Sequence, residues 1–260
     1  MMLLPDRWRV PTTVAFHTLS LVALLVMALR AHGEDLLLRA VYERGTLGAS
    51  TDEERVLQLR EFVHRNVSAR LPASLKLPAG PHALLTPRSA GDELTDPRNC
   101  ASFAFTYARA LQLGGHDVKV VAMTVNGVPG KHVTVEVELG GRWVCMDPNH
   151  NVAWRREDGQ LAGCREVVDN WAYYVRQVPE VYARAIRYQP GGARYTNWDK
   201  IPGVMPLVGG VLGALLGEER AATFSVRAYV LNVHRAWFLV FLPVYLVAVG
   251  WQLRRRRSPA

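Results

Sequence analysis

Apolar residues are distributed along this chain in two ways: long unbroken runs near the ends and periodic runs between them. Thr13–Leu29 is apolar except for His17, Thr18 and Ser20, and Ala236–Leu253 carries no charge. Both meet the length of a membrane-crossing helix, roughly 17–25 residues. The pattern predicts transmembrane helices over 13–30 and 236–253, and Pro243 inside the second is tolerated in lipid. The first run has a rival reading as a signal peptide, because Val26-Met27-Ala28 resembles a small-residue cleavage site. Apolar Leu36-Leu37-Leu38 soon after it favours an uncleaved span. A third run, Gly203–Gly217, is uncharged and Gly-rich but short for a span. It fits a helix at the bilayer interface, a surface for a membrane-protein partner, or a buried segment.

The middle of the chain is periodic. Thr51-Asp52-Glu53-Glu54 is a capping box, and Val56, Leu59, Phe62 and Val63 give the helix it opens an apolar face, to about Asn66. Five prolines between 71 and 98 predict a long loop, either a cleft wall or a solvated connection. Asp96-Pro97 then starts a helix on which Cys100, Phe103, Ala104, Tyr107 and Leu111 share a face, and Gly114-Gly115 ends it. Val118–Val125 reads as a buried strand, with turn signals at Asn126-Gly127 and Pro129-Gly130. From 132 to 139 the chain alternates: Val133, Val135, Val137 and Leu139 on one side, His132, Thr134, Glu136 and Glu138 on the other. Gly140-Gly141 predicts a two-residue hairpin pairing Leu139 with Arg142 and Thr134 with Asp147. Trp143, Cys145 and Asp147 then share a face with His132, and His132 and Asp147 are diagonal neighbours. A three-residue loop would put them on opposite faces. Residues 165–188 read as helix, split at Pro179.

The expected fold class is therefore α+β, a Cys-bearing helix packed on an antiparallel sheet and flanked by N- and C-terminal transmembrane helices. The expected organisation is a cytoplasmic head at 1–12, a span at 13–30, an extracytoplasmic domain at 31–200, an apolar Gly-rich connector at 201–235, a span at 236–253 and a basic tail at 254–260.

Charge refines this picture. The chain has 31 Lys and Arg against 23 Asp and Glu, but Arg7, Arg9 and Arg254–Arg257 lie in the end segments with only Asp6, so the rest carries 25 against 22. No basic patch interleaves with aromatics, which argues against nucleic acid as a partner. Arginines just past the second span place the tail in the cytoplasm by the positive-inside rule. The expectation is therefore both ends inside and the domain outside, as in a multi-pass protein of a bacterial inner membrane with a periplasmic domain.

Three residues then stand out chemically. Cys100 opens a helix, where free amides and the helix dipole favour thiolate over thiol; a buried structural thiol is the plain alternative. With His132 and Asp147 it makes a nucleophile, a base and an orienter. His150 is a rival base. Cys145 and Cys164 could form a disulfide in an oxidising compartment, leaving Cys100 as the odd thiol, or Cys145 could be a free cleft residue. Cys100, His132, Cys145 and Asp147 could also ligate zinc, but no C-x-x-C spacing supports it, and no metal or cofactor is expected. The cluster Trp171, Tyr173, Tyr174, Tyr182 and Tyr188 reads as packing rather than as a substrate platform.

The segments H-V-T-V-E-V at His132–Val137 and W-V-C-M-D-P at Trp143–Pro148, downstream of a helix-opening Cys, resemble the transglutaminase-like superfamily, over roughly 52–170. The resemblance implies a papain-like core, with Cys100 as nucleophile, His132 as general base and acid and Asp147 as orienter. The Cys100 amide, with Asn99 second, would be the oxyanion donor, and Asn99 and Trp143 would contact substrate. Arg98 stands where many members have glycine. The implied activity is cleavage or transfer of an amide in a protein or peptide through a thioester; the other reading is an inactive membrane-tethered binding or assembly module.

Overall fold

The computed structural model describes residues 6–74, 88–198 and 204–257, and these divide into two compact units. The first consists of the chain up to Asp35 and from Asn232 onward. It holds most of α1 (Asp6–Gly45) and α11 (Val233–Arg257). Both are long and apolar enough to cross a membrane: mean hydropathy reaches 2.0 within Thr12–Gly45 and 1.8 within Val233–Arg254. Their apolar side chains point outward, as in Leu19, Leu25, Leu29, Val244 and Val247. Polar residues join the two helices: His17 bonds Tyr245 Oη (3.1 Å) and Gln252 Oε1 (2.9 Å), and Asn232 donates to Ala31 O (3.0 Å) and Asp35 Oδ1 (3.0 Å). In an apolar surrounding such bonds favour one helix pairing. α1 runs unbroken through the segment that resembles a cleavage site and continues past residue 30.

The second unit, Leu36–Leu231, is α+β. Its helices are α2 (Asp52–Ser74), α3 (Ala90–Thr95), α4 (Cys100–Leu113), α5 (Cys164–Asp169), α6 (Trp171–Tyr174), α7 (Glu180–Ala185), α8 (Val204–Leu216), α9 (Glu218–Ala222) and α10 (Val226–Tyr229). Its strands are β1 (Val118–Val125), β2 (Val128–Leu139), β3 (Arg142–Asp147), β4 (Val152–Ala153) and β5 (Tyr188–Arg194), in the antiparallel order β4-β3-β2-β1-β5.

The expected hairpin register is the observed one. Leu139 pairs with Arg142 and Val135 with Met146, so two residues close the turn. Gly140 and Gly141 both have positive φ, 58° and 79°, the pair of conformations a type I′ turn demands. β2 begins at Val128, earlier than expected, so Pro129-Gly130 lies in the strand rather than in the turn.

Both sheet faces are covered. Val120, Val135, Val137, Val144 and Met146 pack under α2 and α4 with Phe103, Tyr107 and Leu111. Val121, Met123 and Cys145 pack on the other side with Trp154, Val167, Tyr182 and Tyr188. Thr134 and Glu136, on the polar side of the alternation, are therefore buried rather than solvated. Each finds a partner: Glu136 Oε1 accepts the Cys164 amide (2.8 Å), and Thr134 Oγ1 lies 3.6 Å from Cys164 Sγ. Cys164 is disulfide-bonded to Cys145, tying α5 to β3, which leaves Cys100 as the free cysteine and removes Cys145 from any metal site.

Three further expectations change. α2 continues past Asn66 to Ser74. The Pro-rich stretch contains α3; the rest of the expected cleft wall, 75–87, lies outside the described residues. The stretch after 204 does more than connect. Ser225 Oγ accepts from Val120 N (3.0 Å) and donates to Val120 O (2.9 Å), and Leu231 joins the core. Gly114 allows a close approach: a Cβ there would meet the Tyr42 ring at 2.2 Å.

The Cys145–Cys164 bridge spans 19 positions. Replacing both cysteines with serine should cost about 2–4 kcal/mol of unfolding free energy. Denaturant unfolding of the detergent-solubilised protein measures it, and an unchanged midpoint would show the bridge to be dispensable.

Candidate active site

Cys100 occupies the first position of α4, and the turn before it is heavily braced. Asn99 is the N-cap: its side chain accepts the Ala101 amide (2.9 Å). Ser102 Oγ accepts from Arg98 N (2.9 Å) and donates to the buried Glu93 of α3 (2.5 Å), and Arg88 lies 3.3 Å from Glu93. Arg98 itself pairs with Asp96 (2.8 Å). The cap fixes where the helix begins, and so where the Cys100 thiol sits. Phe103, Ala104, Tyr107 and Leu111 are buried below it, while Cys100 is partly exposed.

His132 comes from β2 and Asp147 from the end of β3. Their diagonal placement brings His132 Nε2 to 2.8 Å from Asp147 Oδ2. Cys100 lies close enough to the same imidazole to help push its pKa up. With Nε2 engaged by Asp147, Nδ1 is the nitrogen left for the thiol. The three expected residues thus converge from the helix and two strands, with His132 bonded to Asp147 and Cys100 acting on the imidazole.

Asp147 is completely buried and fully bonded. Besides His132, its Oδ2 accepts from Tyr182 Oη (2.9 Å) and His150 Nδ1 (3.0 Å). Its Oδ1 accepts the amides of Asn149 (3.0 Å) and His150 (3.2 Å). Tyr182 in turn bonds Tyr188 (2.8 Å). Burial alone would raise this carboxyl, but the His132 charge and the His132 and His150 hydrogen bonds outweigh it and hold Asp147 well below the usual carboxylate range. Burial would lower His132; the charge and hydrogen bond of Asp147, with Cys100, push it up to about 10. The imidazole is held as a cation at neutral pH.

His150 is the second histidine on Asp147. Its ring centroid lies 5.2 Å from that of His132 and 4.4 Å from that of Tyr182. Donor atoms of His132, Asp147 and His150 lie within 4.8 Å of one another, close enough to share a cation, but the Asp147 oxygens already accept five hydrogen bonds. The local chemistry is that of an ionised carboxylate saturated with donors rather than an open ligand set.

The two residues expected at the substrate have partners within the domain. Asn99 caps α4. Trp143 lies four residues before Asp147 on β3, roughly 13 Å away along the strand. Its ring instead carries the Lys119 ammonium at 3.7 Å. Several contributors carry no motif: Tyr182, Glu93, and from α2 His64, whose Nδ1 meets Pro148 O (3.1 Å), and Arg60, whose Nε donates to Asn151 Oδ1 (2.9 Å). The signals available were a tyrosine in an aromatic cluster and polar residues on an amphipathic helix, which any surface helix also shows.

No family model matches the chain, and comparison with curated proteins and with solved structures gives no match.

The two shifted groups act on stability at opposite ends of the pH scale. The raised His132 contributes fully below its unfolded value near pH 6.5, and its contribution is lost as pH climbs to about 10. The lowered Asp147 contributes above its unfolded value near pH 4 and loses that contribution as pH falls. The stability difference between wild type and His132→Gln should therefore be largest between about pH 4 and 6.5 and shrink on both sides. Urea titrations across pH measure it; a pH-independent difference would refute ionised pairing. Asp147→Asn should cost roughly 3–5 kcal/mol, because it leaves His132 as an uncompensated buried cation.

Proposed function

We propose that this chain is a membrane-anchored cysteine enzyme of transglutaminase-like, papain-like type that cleaves or transfers an amide of a protein or peptide. The observation that carries the reading is the convergence of Cys100, His132 and Asp147, with the imidazole bonded to a buried carboxylate and its pKa pushed up by it and by Cys100. A thiol nucleophile needs a base within hydrogen-bond reach and a third group that orients that base. Here a buried carboxylate, bonded by five donors, holds the imidazole by Nε2, which leaves Nδ1 for the sulfur.

In the proposed reaction Cys100 and the cationic His132 react as a thiolate–imidazolium pair, and the sulfur attacks the amide carbonyl carbon. The carbonyl oxygen takes negative charge, stabilised by the Cys100 backbone amide at the start of α4. Collapse breaks the C–N bond while His132 gives its proton to the leaving amine, leaving a thioester on Cys100. Water or a second amine, deprotonated by His132, then attacks the thioester and releases an acid or a new amide. Asp147 retains its charge throughout and keeps the proton on His132 Nε2. α1 and α11 would anchor the enzyme in a bacterial inner membrane, with the domain periplasmic and the Arg254–Arg257 tail in the cytoplasm. A disulfide between Cys145 and Cys164 suits an oxidising compartment.

Iodoacetamide near neutral pH should alkylate Cys100 far faster in the folded protein than after denaturation, read by mass spectrometry, and His132→Gln should slow it by at least about tenfold. Cys100→Ala should reproduce whatever phenotype loss of the whole chain gives, while leaving the unfolding midpoint nearly unchanged. A folded protein whose thiol reacts no faster than a denatured one would instead be a binding module. For topology, a reporter active only in the periplasm should be active when inserted at Gly159 and silent when fused after Ala260; the reverse pattern would overturn the orientation.

A further inference from the structure

Beside the histidine–aspartate pair lies a cavity of ≈ 280 Å³. Small-molecule sites generally run to about 300–1,000 Å³, so this one suits a single side chain or chain terminus better than a whole cofactor. Its polar lining is Arg60, His150, Asn151, Arg155 and Gln177, without a carboxylate. His150 joins it to the site described above, since the same ring bonds Asp147 at 3.0 Å.

The two arginines are unequally matched. Arg155 is satisfied: Nη2 pairs with Glu53 (2.8 Å) and Nη1 donates to Gly159 O (2.7 Å). Arg60 is not. It is half-buried, and its one hydrogen bond among the described residues is from Nε to Asn151 Oδ1 (2.9 Å). No carboxylate among the described residues forms an ion pair with it, and its terminal nitrogens keep their donors. Burial pulls this guanidinium below its ordinary value, although it stays charged. The charges of Asp147 and Glu61 act on it from a distance, but a partly desolvated guanidinium with no carboxylate bonded to its fork is costly. Asn151, which holds Arg60, is one of two non-glycine residues with positive φ among the described residues (56°), a conformation asparagine tolerates better than most. The turn that follows Asp147 thus aims Arg60 as well as bonding the catalytic pair.

We infer that this cavity is a specificity subsite in which Arg60 receives a carboxylate of the peptide substrate, through the fork-to-carboxylate bonding that guanidinium favours. The inference rests on the cysteine-enzyme reading and gives its substrate class: an acidic peptide, recognised either by a Glu or Asp side chain or by a free chain terminus.

The test uses the full chain in detergent and two series of thiol-directed probes, in which the Cys100 sulfur displaces chloride to form a thioether. N-chloroacetyl peptides and peptidyl chloromethyl ketones extend from the reactive carbon in opposite chain directions. In each series Glu is compared with Gln at successive positions, and among the chloroacetyl peptides a free C-terminus is compared with its amide. At one position the carboxylate probe should label Cys100 about tenfold or more faster than its neutral twin. Arg60→Met, and independently Arg60→Gln, should bring that ratio close to one. The arm that shows the preference says whether the carboxylate belongs to a side chain or to a terminus. Iodoacetamide labelling of the same samples reads the thiol–imidazole pair alone. Fast iodoacetamide labelling with no carboxylate preference in either series overturns the subsite and leaves the enzyme reading standing. A preference that survives both Arg60 variants also overturns it. Slow iodoacetamide labelling of folded protein overturns the enzyme reading and the subsite with it.

Discussion

A single buried carboxylate organises the functional half of the domain. Asp147 has no contact with solvent, so every lone pair it cannot place on a donor would count heavily against the fold. Five donors from three places meet it: His132 across the sheet, the backbone and ring of the turn that follows it, and Tyr182 from α7. Each of those places is held by something else. β2 is fixed by its register, the turn by His64 and Arg60 from α2, and α7 by the aromatic packing around Trp154. The carboxylate is therefore less a member of a triad than the point where sheet, turn and cover are brought into agreement.

The same logic explains the covered polar face of the sheet. An alternating strand ordinarily leaves its polar side in water. Here Thr134 and Glu136 lie under α5, where the Cys145–Cys164 link and the Cys164 amide occupy them. A second layer on that face is what allows Asp147 to be dry. Dryness in turn makes its charge act on His132 at short range without solvent screening.

The sequence disclosed these parts unequally. The hairpin was legible because period-2 alternation and Gly140-Gly141 are local signals, and one count of residues decides the face. The Cys100 helix was legible because Asp96-Pro97 and Gly114-Gly115 bracket a helical repeat. The two terminal helices announced themselves by length and apolarity, though not the continuation of α1 to Gly45. What was hidden is long-range. Tyr182 lies 35 positions from Asp147, and Arg60 lies 91 from Asn151. No periodicity records which helix will lie on which turn. α3 was hidden because prolines on either side obscure a helix of six residues. Trp143 shares a motif with Asp147 but not a location, since four residues that span one turn of a helix span a long distance in a strand.

The two-glycine turn has a consequence for how this site can change over time. Residues at the turn can be exchanged for others that accept the same backbone without disturbing the alignment of imidazole and carboxylate. The number of residues cannot change so freely. Adding or removing one would rotate one arm of the hairpin by a full side-chain alternation relative to the other, parting two groups whose identities had not altered. Evolutionary drift in this region is thus expected to be tolerant in composition and strict in length.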